Sequence, residues 1–79
     1  MLIQGHKRGG GIYGSGPYTS DSDPRLAAVH AGILQDGEWG LIRAKVIKHP
    51  GEHPGGSANG VRTNSWPTYY SSYALERIP

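Results

Sequence analysis

Asp21-Ser22-Asp23-Pro24-Arg25-Leu26-Ala27-Ala28-Val29-His30-Ala31-Gly32 is the stretch on which the fold turns. Its opening residues carry side-chain oxygens that satisfy the unpaired N–H groups of a helix start. Proline at the first helical position brings a preset φ, and glycine supplies the stop. The pattern predicts a helix from about Pro24 to Ala31, with Asp23 as N-cap and Gly32 as terminator. Leu26, Val29, His30 and Ile33 fall at i, i+3, i+4 and i+7 and form one face. Ala27, Ala28 and Ala31 keep the flanks slim, so sheet can approach from several sides and the helix is expected to be central and enclosed.

His30 stands on that apolar face. An enclosed neutral imidazole can donate to a loop carbonyl and accept from a hydroxyl, which would tie the glycine-rich segment to the helix. A structural role is therefore expected of His30, ahead of a ligand-binding or catalytic one.

Downstream, Gln35-Asp36-Gly37-Glu38 reads as a turn. From Gly40 to His49 the residues alternate, placing Ile42, Ala44 and Val46 on the inner face of a half-buried strand and Arg43, Lys45 and Ile47 on the other. Pro50 to Gly56 reads as a long loop, Asn59-Gly60 as a tight turn, and Val61 to Trp66 and Tyr69 to Leu75 as two further strands. Upstream, Gly at 5, 9, 10, 11, 14 and 16 disfavours regular structure. Residues 1–11 are expected to be a flexible arm and residues 12–79 the domain. Gly9-Gly10-Gly11-Ile12-Tyr13-Gly14 satisfies the dinucleotide pattern G-x-G-x-x-G, but no strand precedes it and no βαβ framework surrounds it, so no cofactor is expected.

Composition sets the limits. A chain of 79 residues buries only roughly 60% of the surface its unfolded form exposes, which allows one core. With no cysteine, disulfides are excluded as the support that such small domains often need. There is no Phe, and the aromatic content is two Trp and five Tyr. The net charge of +2 comes from basic residues spread along the chain, too sparse for a nucleic-acid stripe, so no nucleic-acid partner is expected. The N-terminus carries no apolar run of signal-peptide or membrane-spanning length.

Gly14-Ser15-Gly16-Pro17-Tyr18-Thr19-Ser20-Asp21-Ser22, then Ala27-Ala28-Val29-His30-Ala31-Gly32-Ile33-Leu34, then Gly40-Leu41-Ile42, Pro50-Gly51, Gly56-Ser57 and Asn59-Gly60-Val61 follow one another in an order that resembles the LCCL domain signature. The resemblance covers roughly residues 13 to 75, and Ala-Ala-Val-His-Ala-Gly is its most specific part. It implies an α+β fold: a single small domain whose short central helix is enclosed by two antiparallel β-sheets. LCCL domains usually carry disulfide-forming cysteines, one of them in the helix near the place of Arg25; this chain is similar to the cysteine-free members of bacteria. The resemblance also implies extracellular binding of lipopolysaccharide, lipid or matrix partners.

The residues themselves favour surface recognition over catalysis. Ser, His and Asp are present, but without a Gly-x-Ser-x-Gly elbow or a spaced carboxylate pair the chain is expected not to be an enzyme. His49 and His53 flank Glu52 in the Pro/Gly loop and are weak candidates for a metal, since a closed zinc site needs four ligands. Trp66, Tyr69, Tyr70 and Tyr73 are the stronger lead. On an alternating strand these tyrosines point both ways, and exposed rings near Arg43, Lys45 and Arg62 would suit a glycan, a lipid headgroup or a protein surface. Trp66 is expected inside and some tyrosines outside. His30, Asp23, Gly32, Asn59 and Gly60 are expected to serve the fold. The alternative reading is a subunit that self-associates into a homo-oligomer through its tyrosine-bearing edge strand.

Overall fold

The computed structural model describes residues 1–48, 51–68 and 71–78. In chain order the elements are β1 (Leu2–Gln4), β2 (Tyr18–Thr19), α1 (Pro24–His30), β3 (Trp39–Ile47), β4 (Ser57–Ala58), β5 (Val61–Arg62) and β6 (Ser72–Arg77). The helix lies where its signals place it. Asp23 is extended and its carboxylate accepts from the Arg25 N–H at 3.0 Å, with Pro24 in the first turn. At the other end the Ala31 N–H donates to Ala27 O at 2.8 Å. Gly32 follows at φ 80, a conformation that a side chain adopts only with strain.

Every residue from Leu26 to His30 is buried. The four-stranded sheet has the order β1-β3-β6-β2 and is antiparallel throughout, while β4 and β5 form a separate antiparallel hairpin. The helix lies between the two. Leu26, Ala27 and Val29 pack with Val61 of β5, Tyr73 of β6, Ile12 and Tyr18. Ala28 packs with Leu34 and with Ile42 of β3. The fold is thus α+β, one short helix held between two antiparallel sheets.

Asn59 and Gly60 join β4 to β5 with φ 52 and 80, the paired positive values of a type I′ hairpin turn. The Asn59 amide donates to His30 O at 2.9 Å, so the turn also fixes the end of the helix.

Several expectations need correction. Of the inner set predicted for β3, only Ile42 is buried; Ala44 is exposed and Val46 is 74% exposed. The reason is length: a seven-residue helix is about 10 Å long, whereas nine strand residues span about 30 Å, so α1 cannot cover β3 to its end. The strand expected from Val61 to Trp66 stops at Arg62 and continues only as isolated bridges from Asn64 to Tyr13 and from Trp66 to His53. Among the described residues the final strand runs from Ser72 to Arg77, past its expected end at Leu75 and without Ser71, while Tyr69 and Tyr70 lie outside the described residues. Within residues 51–56, His53 is only 1% exposed and its N–H and C=O both bond to Trp66.

At the N-terminus, Leu2–Gln4 pair with Leu41, Gly40 and Trp39. Gly5 is buried, and a Cβ on it would sit 2.6 Å from Gln35 O. The stretch read as an arm therefore begins inside the sheet, while residues 7–11 carry neither helix nor strand.

Candidate binding surface

The polar groups of the interior pair with one another. Tyr18 is 2% exposed and its hydroxyl lies 2.9 Å from His30 Nδ1. Burial pushes the Tyr18 phenol up to about 12, so it stays protonated and shares one hydrogen bond with the imidazole, the donor being set by the tautomer of His30. Of the two partners expected for the His30 ring, a hydroxyl is present, that of Tyr18, and a loop carbonyl is not found among the described residues; it is the backbone carbonyl of His30 that meets the Asn59 turn. His30 Nε2 is buried without a hydrogen-bond partner among the described residues. His53 Nε2 lies 2.7 Å from Ser72 Oγ, but with Ser72 wholly buried the pair is closed to any substrate and ties the 51–56 loop to β6.

The sheet's outer face is different. Gly40 sits against Leu34, whose Cδ2 would be 2.6 Å from a Cβ, and Ile42 is wholly buried. With these two facing the core, the pleat turns Trp39, Leu41, Arg43 and Lys45 outward. Trp39 is 60% exposed, Leu41 47%, and Leu2, which stands opposite Leu41, 62%. Arg43 forms an ion pair with Glu76 across the ladder at 3.1 Å, and Lys45 stands opposite Ala74, exposed. The result is one strip about 20 Å long, apolar at the Trp39 end and cationic at the Lys45 end.

The other sequence-predicted residues are distributed elsewhere. Arg62 is exposed on β5, in the second sheet. Trp66, expected inside, is 43% exposed and stands edge-on to Tyr13 with ring centroids 5.1 Å apart. Tyr73 is 7% exposed and donates to Ser22 O at 2.8 Å, so its ring belongs to the core and not to an exposed surface. Burial pushes its phenol up strongly, with Asp23, Tyr18 and Asp21 adding to the effect. Tyr69 and Tyr70 lie outside the described residues, as does His49. Among the described residues no group of three or more His, Cys, Asp or Glu is placed to hold a metal ion.

Sequence reasoning reached Arg43 and Lys45 and missed Trp39, Leu41 and Leu2. The signal was present: counting the same alternation back from Arg43 lands on Leu41 and then Trp39.

The sequence profile of the LCCL domain family matches residues 4–73 of the 79-residue chain. The chain belongs to the LCCL domain family. This is a family of binding-type domains. No significant match was found among curated proteins or among solved structures. As an LCCL domain without cysteine, the chain holds its helix by other means. Arg25 is exposed and clamps Asp23 by its N–H and its guanidinium at 3.0–3.4 Å. Among the described residues, no helix is long and apolar enough to cross a membrane.

Proposed function

We propose that this LCCL domain is a binding module, acting without turnover, whose outer sheet face docks on an anionic amphiphile such as lipopolysaccharide or an acidic lipid surface. One observation carries the reading: Trp39, Leu41 and Leu2 are exposed beside Arg43 and Lys45 on a single face. Large apolar side chains in water are unfavourable unless a partner covers them. A tryptophan at one end and cations at the other match a ligand whose apolar body adjoins a negative head. A neutral glycan would use the ring of Trp39 but not the charge of Lys45, since Arg43 already pairs with Glu76.

Sedimentation with phosphatidylglycerol vesicles, phosphatidylcholine vesicles and lipopolysaccharide tests this. The expected result is retention by the anionic preparations, weakened at high salt and lost in Trp39→Ala. Equal retention by phosphatidylcholine, or full retention by Trp39→Ala, would exclude the reading. Binding to a glycan array with no lipid retention would move the ligand to the sugar class.

Self-association through the tyrosine-bearing strand as an edge meets a topological objection, since β6 lies between β3 and β2 in the sheet order. The metal reading of His49 and His53 is tested by metal analysis of the purified protein.

A further inference from the structure

Ahead of β2, Ser15 and Gly16 border a cleft of about 360 Å³, within the roughly 300–1,000 Å³ of small-ligand sites. Ala58 of β4 and Ala74 and Leu75 of β6 line it, together with Tyr18, His30 and Ala31. Tyr18 and His30 are buried and so form its floor, whereas Ser15, Gly16 and Ala31 are exposed and form its rim. A Cβ on Gly16 would meet nothing within 4 Å, which leaves the mouth open. Among the described residues that line the cleft there is no Lys, Arg, Asp or Glu.

The floor holds a polar atom without a partner. His30 Nε2 is buried and unbonded among the described residues, while Nδ1 is taken by the Tyr18 hydroxyl. That hydroxyl is itself inside the molecule, and Nδ1 is its one partner among the described residues. Were the imidazole proton on Nδ1, both the phenol proton and Nε2 would be left unpaired; with the proton on Nε2, the phenol donates to Nδ1 and only the Nε2–H is left over. Unpaired buried polar groups are costly, so the second tautomer is favoured and Nε2 is a donor.

We propose that this cleft binds a neutral acyl group, whose amide or ester carbonyl accepts from His30 Nε2–H while its carbon chain lies against Ala31, Ala58, Ala74 and Leu75. The walls are apolar and the floor offers one donor, so a ligand with one acceptor and an apolar body matches both. A carboxylate would give up its hydration with no cation lining the cleft to replace it. An ammonium would set a donor against a donor, and a plain hydrocarbon would leave Nε2–H unpaired. In the low-dielectric interior the carbonyl bond is stronger than in water. Two sources share this chemistry, a simple alkyl amide and the acetamido group of an amino sugar. The inference goes beyond the outer-face reading and does not rest on it, since neither Trp39 nor Arg43 nor Lys45 lines the cleft.

The test is NMR of the full chain, isotope-labelled in its backbone and imidazole nitrogens. In the free protein the His30 ring is expected to show Nδ1 as acceptor and Nε2 protonated. Titration with N-butylacetamide, and separately with N-acetylglucosamine, should give saturable shifts of the His30 Nε2–H and of the Ala31, Ala58 and Leu75 amides with at least one of the two, and the tighter binder identifies the source. Butyrate and butylamine should bind at least tenfold more weakly. Ala31 is exposed, so Ala31→Leu should fold, fill the rim and weaken binding at least tenfold, whereas Trp39→Ala should bind as the parent does. An unprotonated Nε2, no saturable shift with either acyl probe, equal binding of butyrate, or undiminished binding by folded Ala31→Leu would each overturn the proposal. If Ala31→Leu fails to fold, the contrast between the acyl probes and butyrate on the unaltered protein decides.

Discussion

The Tyr18 hydroxyl and His30 Nδ1 stand 2.9 Å apart inside the molecule, and their bond joins β2 to the last residue of the helix. Their rings also meet edge to face, with centroids 5.7 Å apart. Without disulfides, this cross-link is one of the few polar ties between the helix and the four-stranded sheet. Tyr18→Phe keeps the ring but leaves Nδ1 without its partner in the interior, and leaving a buried polar group unpaired costs about 1–3 kcal/mol. Urea unfolding of the variant should show a loss in that range. A loss near zero would mean that the bond contributes nothing to the fold.

The same tyrosines set an alkaline limit. Burial raises Tyr18 to about 12 and raises Tyr73 further, so both phenols are favoured in their neutral form by the folded state. A group whose folded value is raised contributes stability in full below its unfolded value of about 10 and loses it as the pH climbs through the folded value. Melting temperature should therefore hold level up to about pH 10 and fall above it. Tyr18→Phe should flatten part of that fall.

Asp23 governs the acid side. Burial works to raise its carboxyl, but the Arg25 side chain, the Arg25 N–H and the Arg25 charge outweigh it and hold the group below the usual aspartate range. Its contribution is complete above that range and is lost as the pH falls through the lower folded value. Asp23→Ala removes the helix cap and should cost about 1 kcal/mol at neutral pH. The variant should also lose less stability between pH 5 and pH 3 than the parent, as read by denaturant unfolding.

The β4–β5 turn is the next point of sensitivity. Gly60 has φ 80, and a Cβ there would approach the Lys7 side chain at 3.1 Å, a flexible tip that can move. Gly60→Ala should therefore cost about 1–3 kcal/mol, chiefly from the backbone. Asn59→Ala combines a positive φ with loss of the bond to His30 O, so its melting temperature should fall as well.

The helix, its cap, its terminator and the Asn59-Gly60 turn were legible because each depends on local chemistry: an oxygen before Pro24, a positive φ at Gly32, two positive φ values at the hairpin. The enclosure of the helix was legible from its alanines. What escaped depended on long-range lengths and pairings. Nothing near Val46 says that a seven-residue helix ends before it, and nothing near Leu2 says that it faces Leu41 across a ladder. Tyr73 and Trp66 were misplaced in opposite senses for the same reason. Alternation shows that two faces exist; only the sheet order shows which one meets the helix. Burial of His53 likewise rests on its contact with Ser72, nineteen residues away.

Trp39 and Trp66 are the chain's two tryptophans, and their indole N–H groups give an NMR spectrum two well-defined reporters. Titration with lipopolysaccharide is the most direct check on recognition through the outer sheet face. The Trp39 indole, with the amides of Leu41, Arg43 and Lys45, should shift or broaden together while the Trp66 indole stays in place. Perturbation of Trp66 with a silent Trp39 would contradict the account.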